Sequence, residues 1–172
     1  MTVLIAYASR HASTWGIAER IAGRLRRLGH EVDVKTVEEV GDVDRYDAFV
    51  IGSAVYYGRW LGPAVDLVRR HGTVLAERPV WLFSSGPLGD QAGQEPAQVG
   101  ELRGAIEPRG HRVFGGALDR RQLGITERLV ARMVKAPEGD FRPWEEIDAW
   151  ADTIAAQLAG WRSAADLEVA KR

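Results

Sequence analysis

Apolar residues recur along this chain in two rhythms, one suited to strands and one to helices. Thr2 to Tyr7 (TVLIAY) is a short unbroken apolar run rich in β-branched residues, which predicts a buried strand. In Trp15 to Leu28 (WGIAERIAGRLRRL) the positions Ile17, Ala18, Ile21, Ala22, Leu25 and Leu28 form one stripe at helical spacing. Ser13 or Thr14 is placed to cap that helix, Gly29 to stop it, and Arg20, Arg24, Arg26 and Arg27 fall largely off the stripe. His30 to Val37 alternates polar and apolar, as an edge strand with one wet face does.

The same reading continues to the C-terminus. Tyr46 to Ser53 and Pro79 to Ser84 predict central strands, and His111 to Leu118 a last strand. Leu61 to His71 predicts a helix with Pro63 in its first turn, and Val99 to Ile106 a short one. Gly124 to Lys135 is a basic amphipathic helix, Ala136 to Phe141 a turn-rich linker, and Pro143 to Leu158 a long final helix with Ile147, Trp150, Ile154 and Leu158 on one face. The expectation is one domain over residues 1–160, with 161–172 a frayed or loosely docked tail. Strands alternating with helices imply an α/β fold, a mostly parallel sheet with helices on both faces. Ligands bind such sheets beyond the carboxyl ends of the strands, where the strand order reverses. Three loops converge there, after the first, third and fourth strands.

Composition narrows the field. The 172 residues are 45% hydrophobic and 27% charged, an ordinary globular balance. A net charge of −1 argues against nucleic acid as a partner. With no cysteine there is no disulfide, thiolate metal site or thiol nucleophile. The N-terminal apolar run is too short for a signal peptide and lacks a basic flank, and no run is long enough to span a bilayer, so a cytoplasmic address is expected.

The first loop carries Ser9, Arg10, His11, Ala12, Ser13 and Thr14, and lacks both the dinucleotide glycine fingerprint and the P-loop motif. Hydroxyls and free amides at a helix N-terminus suit a single phosphate monoester, to which Arg10 adds a charge-assisted bond. Helix capping by Ser13 and Thr14 is the competing reading. The second loop packs Tyr56, Tyr57 and Trp60 among Gly52, Gly58 and Gly62, so an exposed loop that stacks on a planar ring is expected over plain packing. The third, Ser84 to Asp90, has Gly86 and Gly89 for close backbone approach to the edge of a heterocycle.

The stretches VLIAYASRHAST, YDAFVIGSAVYYGRW and RLVARMVKAPEGDFRPWEEIDAWADTIA, in that order, resemble the flavodoxin family, in particular its branch of menaquinone-dependent protoporphyrinogen oxidases (dehydrogenases). The resemblance spans roughly residues 2–158. It implies a flavodoxin-like three-layer α/β/α sandwich, a five-stranded parallel sheet in the order 2-1-3-4-5, and non-covalent FMN at the three loops. Carried over by position, Ser9, Arg10, His11, Ala12, Ser13 and Thr14 cradle the FMN phosphate. Ser53, Ala54, Tyr56, Tyr57 and Gly58 lie along the isoalloxazine with Trp60 close by, and Ser85, Gly86, Pro87 and Gly89 close its other side. It further implies an FMN-dependent oxidoreductase with a quinone or similar acceptor. Electron-carrier flavodoxins tend to be strongly acidic around the flavin, whereas this chain sets Arg10, His11 and Arg59 there, which suits an anionic substrate.

Two alternatives stand beside that reading: an electron carrier without a substrate of its own, and a flavodoxin-fold module that has lost FMN and acts by protein contacts. Ala12, where the family usually has glycine, and Trp15 motivate the second. No catalytic base or nucleophile is nominated, and no set of residues has metal-ligand spacing. His30, His71 and His111 read as structural or solvated, and Asp90 and Glu95 as solvated loop charges. Arg128, Arg132 and Lys135 beside the apolar face of 124–135 allow weak contact with an anionic membrane surface or delivery of a quinone; a helix packed on the domain with its arginines in water gives the same pattern.

Overall fold

In the computed structural model, which describes residues 1–10, 12–86, 95–118 and 139–169 (162–169 as backbone only), the N-terminal apolar run becomes β1 (Thr2–Ala8). It is followed by α1 (Ala12–Arg27), β2 (Glu31–Thr36), β3 (Ala48–Tyr56), β4 (Arg59–Trp60), α2 (Gly62–Arg70) and α3 (Gly72–Ala76). Then come β5 (Val80–Ser85), α4 (Ala97–Ile106), β6 (Gly110–Phe114), β7 (Ala117–Leu118), β8 (Gly139–Asp140) and α5 (Trp144–Val169). The helix expected over 124–135 lies outside the described residues.

The main sheet runs β2-β1-β3-β5-β6 with every neighbouring pair parallel, the expected 2-1-3-4-5 order of a flavodoxin-like fold. β2 sits at the edge, as its alternation predicted. Successive residues of a strand point to opposite faces. Leu4, Ala6 and Ala8 therefore pack toward Ala64, Leu67 and Val68 of α2 and Val99 and Leu102 of α4. Val3 and Ile5 pack toward Ile17, Ile21 and Leu25 of α1 and Ile147, Ile154 and Leu158 of α5. Two apolar layers, one on each side of one sheet, make the three-layer sandwich.

Several boundaries differ from the sequence reading, each for a non-local reason. α1 starts at Ala12, so Ser13 and Thr14 lie inside its first turn and do not cap it. β3 continues to Tyr56 and returns through β4, so the expected exposed loop at 52–60 is a β-hairpin. The expected last strand breaks after Phe114 because Gly115 lies against the Phe141 carbonyl, where a Cβ would come within 2.2 Å of the oxygen. The chain then pairs β7 antiparallel with β8, inside the segment expected to be a turn-rich linker. The final helix continues past Leu158 to Val169, through most of the expected tail.

α1 and α5 are also joined by charge. Arg20 and Arg24 each donate two hydrogen bonds, to Asp148 and Asp152, at 2.5 to 2.8 Å. These bonds hold both carboxyls below their usual range. A carboxyl with a depressed folded pKa contributes stability above its ordinary pKa of about 3.9, and that contribution is lost as pH falls through the folded value. Thermal melts of the Asp148→Asn/Asp152→Asn variant are expected to lose part of the steep acid limb below about pH 4 while the limb near neutrality keeps its shape. An acid limb identical to wild type would place the titrating groups elsewhere.

Candidate functional site

The register of the sheet assembles the site. Ala8 pairs with Ser53, Ser53 with Ser84, and Ser85 with Phe114, so the carboxyl ends of β1, β3 and β5 form one edge. The turn after β1, the β3–β4 hairpin and Gly86 all leave from that edge.

At the first turn, four backbone N–H groups of α1 have no intrahelical acceptor, and the helix dipole adds positive potential. Ser9 is half-buried, Arg10 and Ala12 are exposed, and His11 lies outside the described residues. The Ser13 hydroxyl accepts a 2.8 Å bond from the Ala117 N–H and lies 3.4 Å from Ser85 Oγ, which ties the start of α1 to β5 and β7. Thr14 is fully enclosed, and its Oγ1 has no hydrogen-bond partner among the described residues. A buried hydroxyl without a partner costs about 1 to 3 kcal/mol. The hydroxyl is closed off from solvent, so an anion at the helix N-terminus reaches it only if the turn opens. Trp15 is half exposed.

Arg142 straps the same turn, and nothing in the sequence pattern marked it. Its guanidinium is held by Asp140, lies 4.4 Å from the Trp144 ring centroid, and reaches the Ser13 carbonyl at 3.5 Å. It occupies the space above Gly16, where a Cβ would come within 2.3 Å of it.

The hairpin supplies the aromatic component. Tyr57 and Gly58 turn the chain with φ of 52° and 71°, both left-handed, as a two-residue type I′ hairpin requires. This turn puts Tyr57 at the tip, 77% exposed. Tyr56 is half-buried, with the Arg10 guanidinium 5.3 Å from its ring centroid. That contact bridges the first turn and the hairpin. Trp60 takes the packing role instead of an exposed one: it is 3% exposed. Its Nε1–H donates to Ser84 Oγ at 2.7 Å, and its backbone N–H to Gln98 at 3.2 Å. Ser53 is buried, donates to the Ala54 carbonyl and accepts from the Leu61 N–H. Both its bonds hold the hairpin, and Ala54 is buried beside it.

On the third side Ser85 is buried, and Gly86 adopts φ of 66° and donates to the Phe114 carbonyl at 2.9 Å. Gly116 backs onto Gly86, where a Cβ on Gly116 would come within 3.0 Å of the Gly86 Cα. Pro87, Gly89 and Asp90 lie outside the described residues. Glu95 is not a free loop charge. It accepts from Arg103 at 2.8 Å and lies 3.2 Å from Nδ1 of His111. His111, expected to be structural or solvated, is enclosed.

The sequence matches the family described as Flavodoxin domain over residues 4–143. It is 23% identical to the protoporphyrinogen IX dehydrogenase [quinone] of Escherichia coli K12, over 90% of this chain and 95% of that protein. A flavodoxin from the domain Archaea superposes with a TM-score of 0.63 at 16% identity, over 92% of this chain and 99% of the other. Flavodoxin 2 from Bacillus cereus superposes with a TM-score of 0.60 at 22% identity, over 91% and 99%.

Proposed function

Because the chain belongs to the flavodoxin domain family, we propose that its three-loop edge binds FMN and that the protein is a redox protein of the flavodoxin type. The observation that carries this reading is the first turn of α1, with its free amides and exposed Arg10, at the same sheet edge as the β3–β4 hairpin that holds Tyr57 exposed at its tip. In this reading the first-turn amides hold the phosphate, the turn opens on binding so that Thr14 reaches it, and Arg10 neutralises part of its charge. Tyr57 covers one face of the ring, and the backbone at Ser85 and Gly86 meets its edge. When bound, FMN supplies an electron-accepting and electron-donating ring; the protein supplies orientation, electrostatics and exclusion of water. Tyr57→Ala is then expected to weaken FMN binding by about 1 to 3 kcal/mol, read by fluorescence titration. An unchanged affinity would remove stacking on Tyr57 from the account.

The finer reading is an oxidoreductase acting on a carboxylated reduced substrate with a quinone or similar acceptor, as the name of the E. coli relative suggests. Arg10 and Arg59, both exposed at this edge, support an anionic substrate over the role of an acidic shuttle. Anaerobic incubation of FMN-loaded protein with protoporphyrinogen IX and a soluble menaquinone analogue tests it. Protein-dependent growth of protoporphyrin fluorescence is expected. Reduction by a flavodoxin reductase with no turnover of either small molecule would favour the carrier reading instead. No helix among the described residues is long and apolar enough to cross a membrane.

A further inference from the structure

A buried polar chain runs beneath the hairpin. The Trp60 indole donates to Ser84 Oγ at 2.7 Å, Ser84 Oγ lies 2.8 Å from His111 Nε2, and His111 Nδ1 lies 3.2 Å from Glu95. Ser84 is fully enclosed, Trp60 is 3% exposed, and the His111 side chain is 2% exposed. The contacts follow the order of a Ser–His–Glu hydrolase triad. No substrate can reach this serine, however, and its oxygen already accepts from an indole. Hydrolysis is therefore not what the chain is for.

Counting donors shows what it does. An indole can only donate, so one Ser84 lone pair is taken. The Ser84 hydroxyl proton then needs an acceptor, and His111 Nε2 is within reach. That requires a neutral imidazole with its proton on Nδ1, facing Glu95. Every group in the chain is then satisfied. If His111 gains a second proton, Nε2 becomes a donor, Ser84 receives two donors, and its own proton loses its acceptor in a dry site.

We propose that neutral His111 is a positioning residue for the Tyr57–Gly58 tip: it fixes Ser84, Ser84 fixes Trp60, and β4 transmits that anchor to the hairpin, so that protonating His111 loosens the tip. The role of the tip in cofactor binding rests on the function proposed above; the link from His111 to Trp60 does not. Among the described residues the charged groups facing His111 are Glu95, just before α4, and Arg103, on α4. Burial lowers the His111 pKa most, Glu95 pulls it up, Arg103 pushes it down, and the net direction is downward. The unfolded chain therefore takes up the proton first, and stability falls as pH drops below about 6.5, the ordinary histidine value.

The test is 1H–15N spectroscopy of the full-length protein without flavin from about pH 8 to 5, with the Trp60 indole resonance assigned from Trp60→Phe and the imidazole nitrogens of His111 from His111→Gln. The expected result is an Nδ1-protonated neutral His111 at pH 7.5 and a Trp60 indole signal that moves with the same midpoint as His111. In His111→Gln, which keeps an acceptor for Ser84 and does not titrate, the Trp60 signal stays fixed across that range. Across the transition the wild type is expected to lose roughly three- to tenfold more FMN affinity than His111→Gln, the loss of about one hydrogen bond, with titration of FMN's own phosphate common to both. A His111 already protonated at pH 7.5, or a Trp60 indole indifferent to its titration, overturns the proposal. A Trp60 signal that titrates while wild-type FMN affinity follows the same pH course as that of His111→Gln overturns transmission to the tip. If neither protein binds FMN but Trp60 follows His111, the anchor stands and the cofactor reading fails.

Discussion

Phe83→Ala is expected to lower unfolding stability by about 3 to 5 kcal/mol, the range for emptying a buried aromatic site. Phe83 is fully buried and sits where the apolar layers meet the site edge. Its ring lies 6.5 Å from Phe114 and 6.3 Å from Trp150, centroid to centroid, and covers Gly52. A Cβ on Gly52 would come within 2.1 Å of that ring, so residues 52 and 83 share one volume. Gly52→Ala alone should cost about 1 to 3 kcal/mol by overpacking, and much less when Phe83 is already alanine. For a chain of this size the Phe83→Ala loss corresponds to a melting temperature lower by roughly 6 to 20 °C. Denaturant unfolding of the two single variants and the double variant measures the coupling. Strictly additive losses would mean that the ring and the glycine do not share this space.

Thr14→Val should act in opposite directions with and without FMN. The enclosed hydroxyl has no partner among the described residues, so replacing it with a methyl of similar shape should leave the flavin-free protein unchanged or up to about 1 kcal/mol more stable. If FMN binding opens the turn so that this hydroxyl meets the phosphate, the same change removes a hydrogen bond to a charged group, worth about 1.5 to 3 kcal/mol, or roughly 10- to 150-fold in FMN affinity. Thermal melts of the flavin-free protein and a fluorescence titration with FMN read the two effects. A destabilised flavin-free protein with unaltered FMN affinity would give the hydroxyl an internal partner.

The elements of this fold were legible where the evidence for them is local. The stripe on α1, the alternation of β2 and the apolar cores of β3 and β5 follow from spacing along the chain, and the expected strand order followed from the family resemblance. What spacing missed depends on contacts across the fold. A Tyr-Gly pair is not a usual type I′ turn, since Tyr57 must take a positive φ that asparagine or glycine adopts more easily, so the hairpin read as a loop. HRVFGGAL shows no break, because the break comes from the Phe141 carbonyl. Ser13 looked like a cap because nothing local reveals that its hydroxyl binds Ala117. Arg20 and Arg24 share their spacing of four with Asp148 and Asp152, a match visible in the sequence whose meaning needs α1 and α5 side by side. Ser84 and His111 meet because parallel pairing sets His111 opposite Leu82, two residues from Ser84 on the same face.

The most direct measurement is the stoichiometry of flavin left on the purified protein after excess FMN is added and removed by desalting, with riboflavin in parallel. A phosphate held in the first turn of α1 and a ring under Tyr57 predict close to one FMN retained per chain, with riboflavin washed away. No retained flavin, or equal retention of both, would contradict the account at its base.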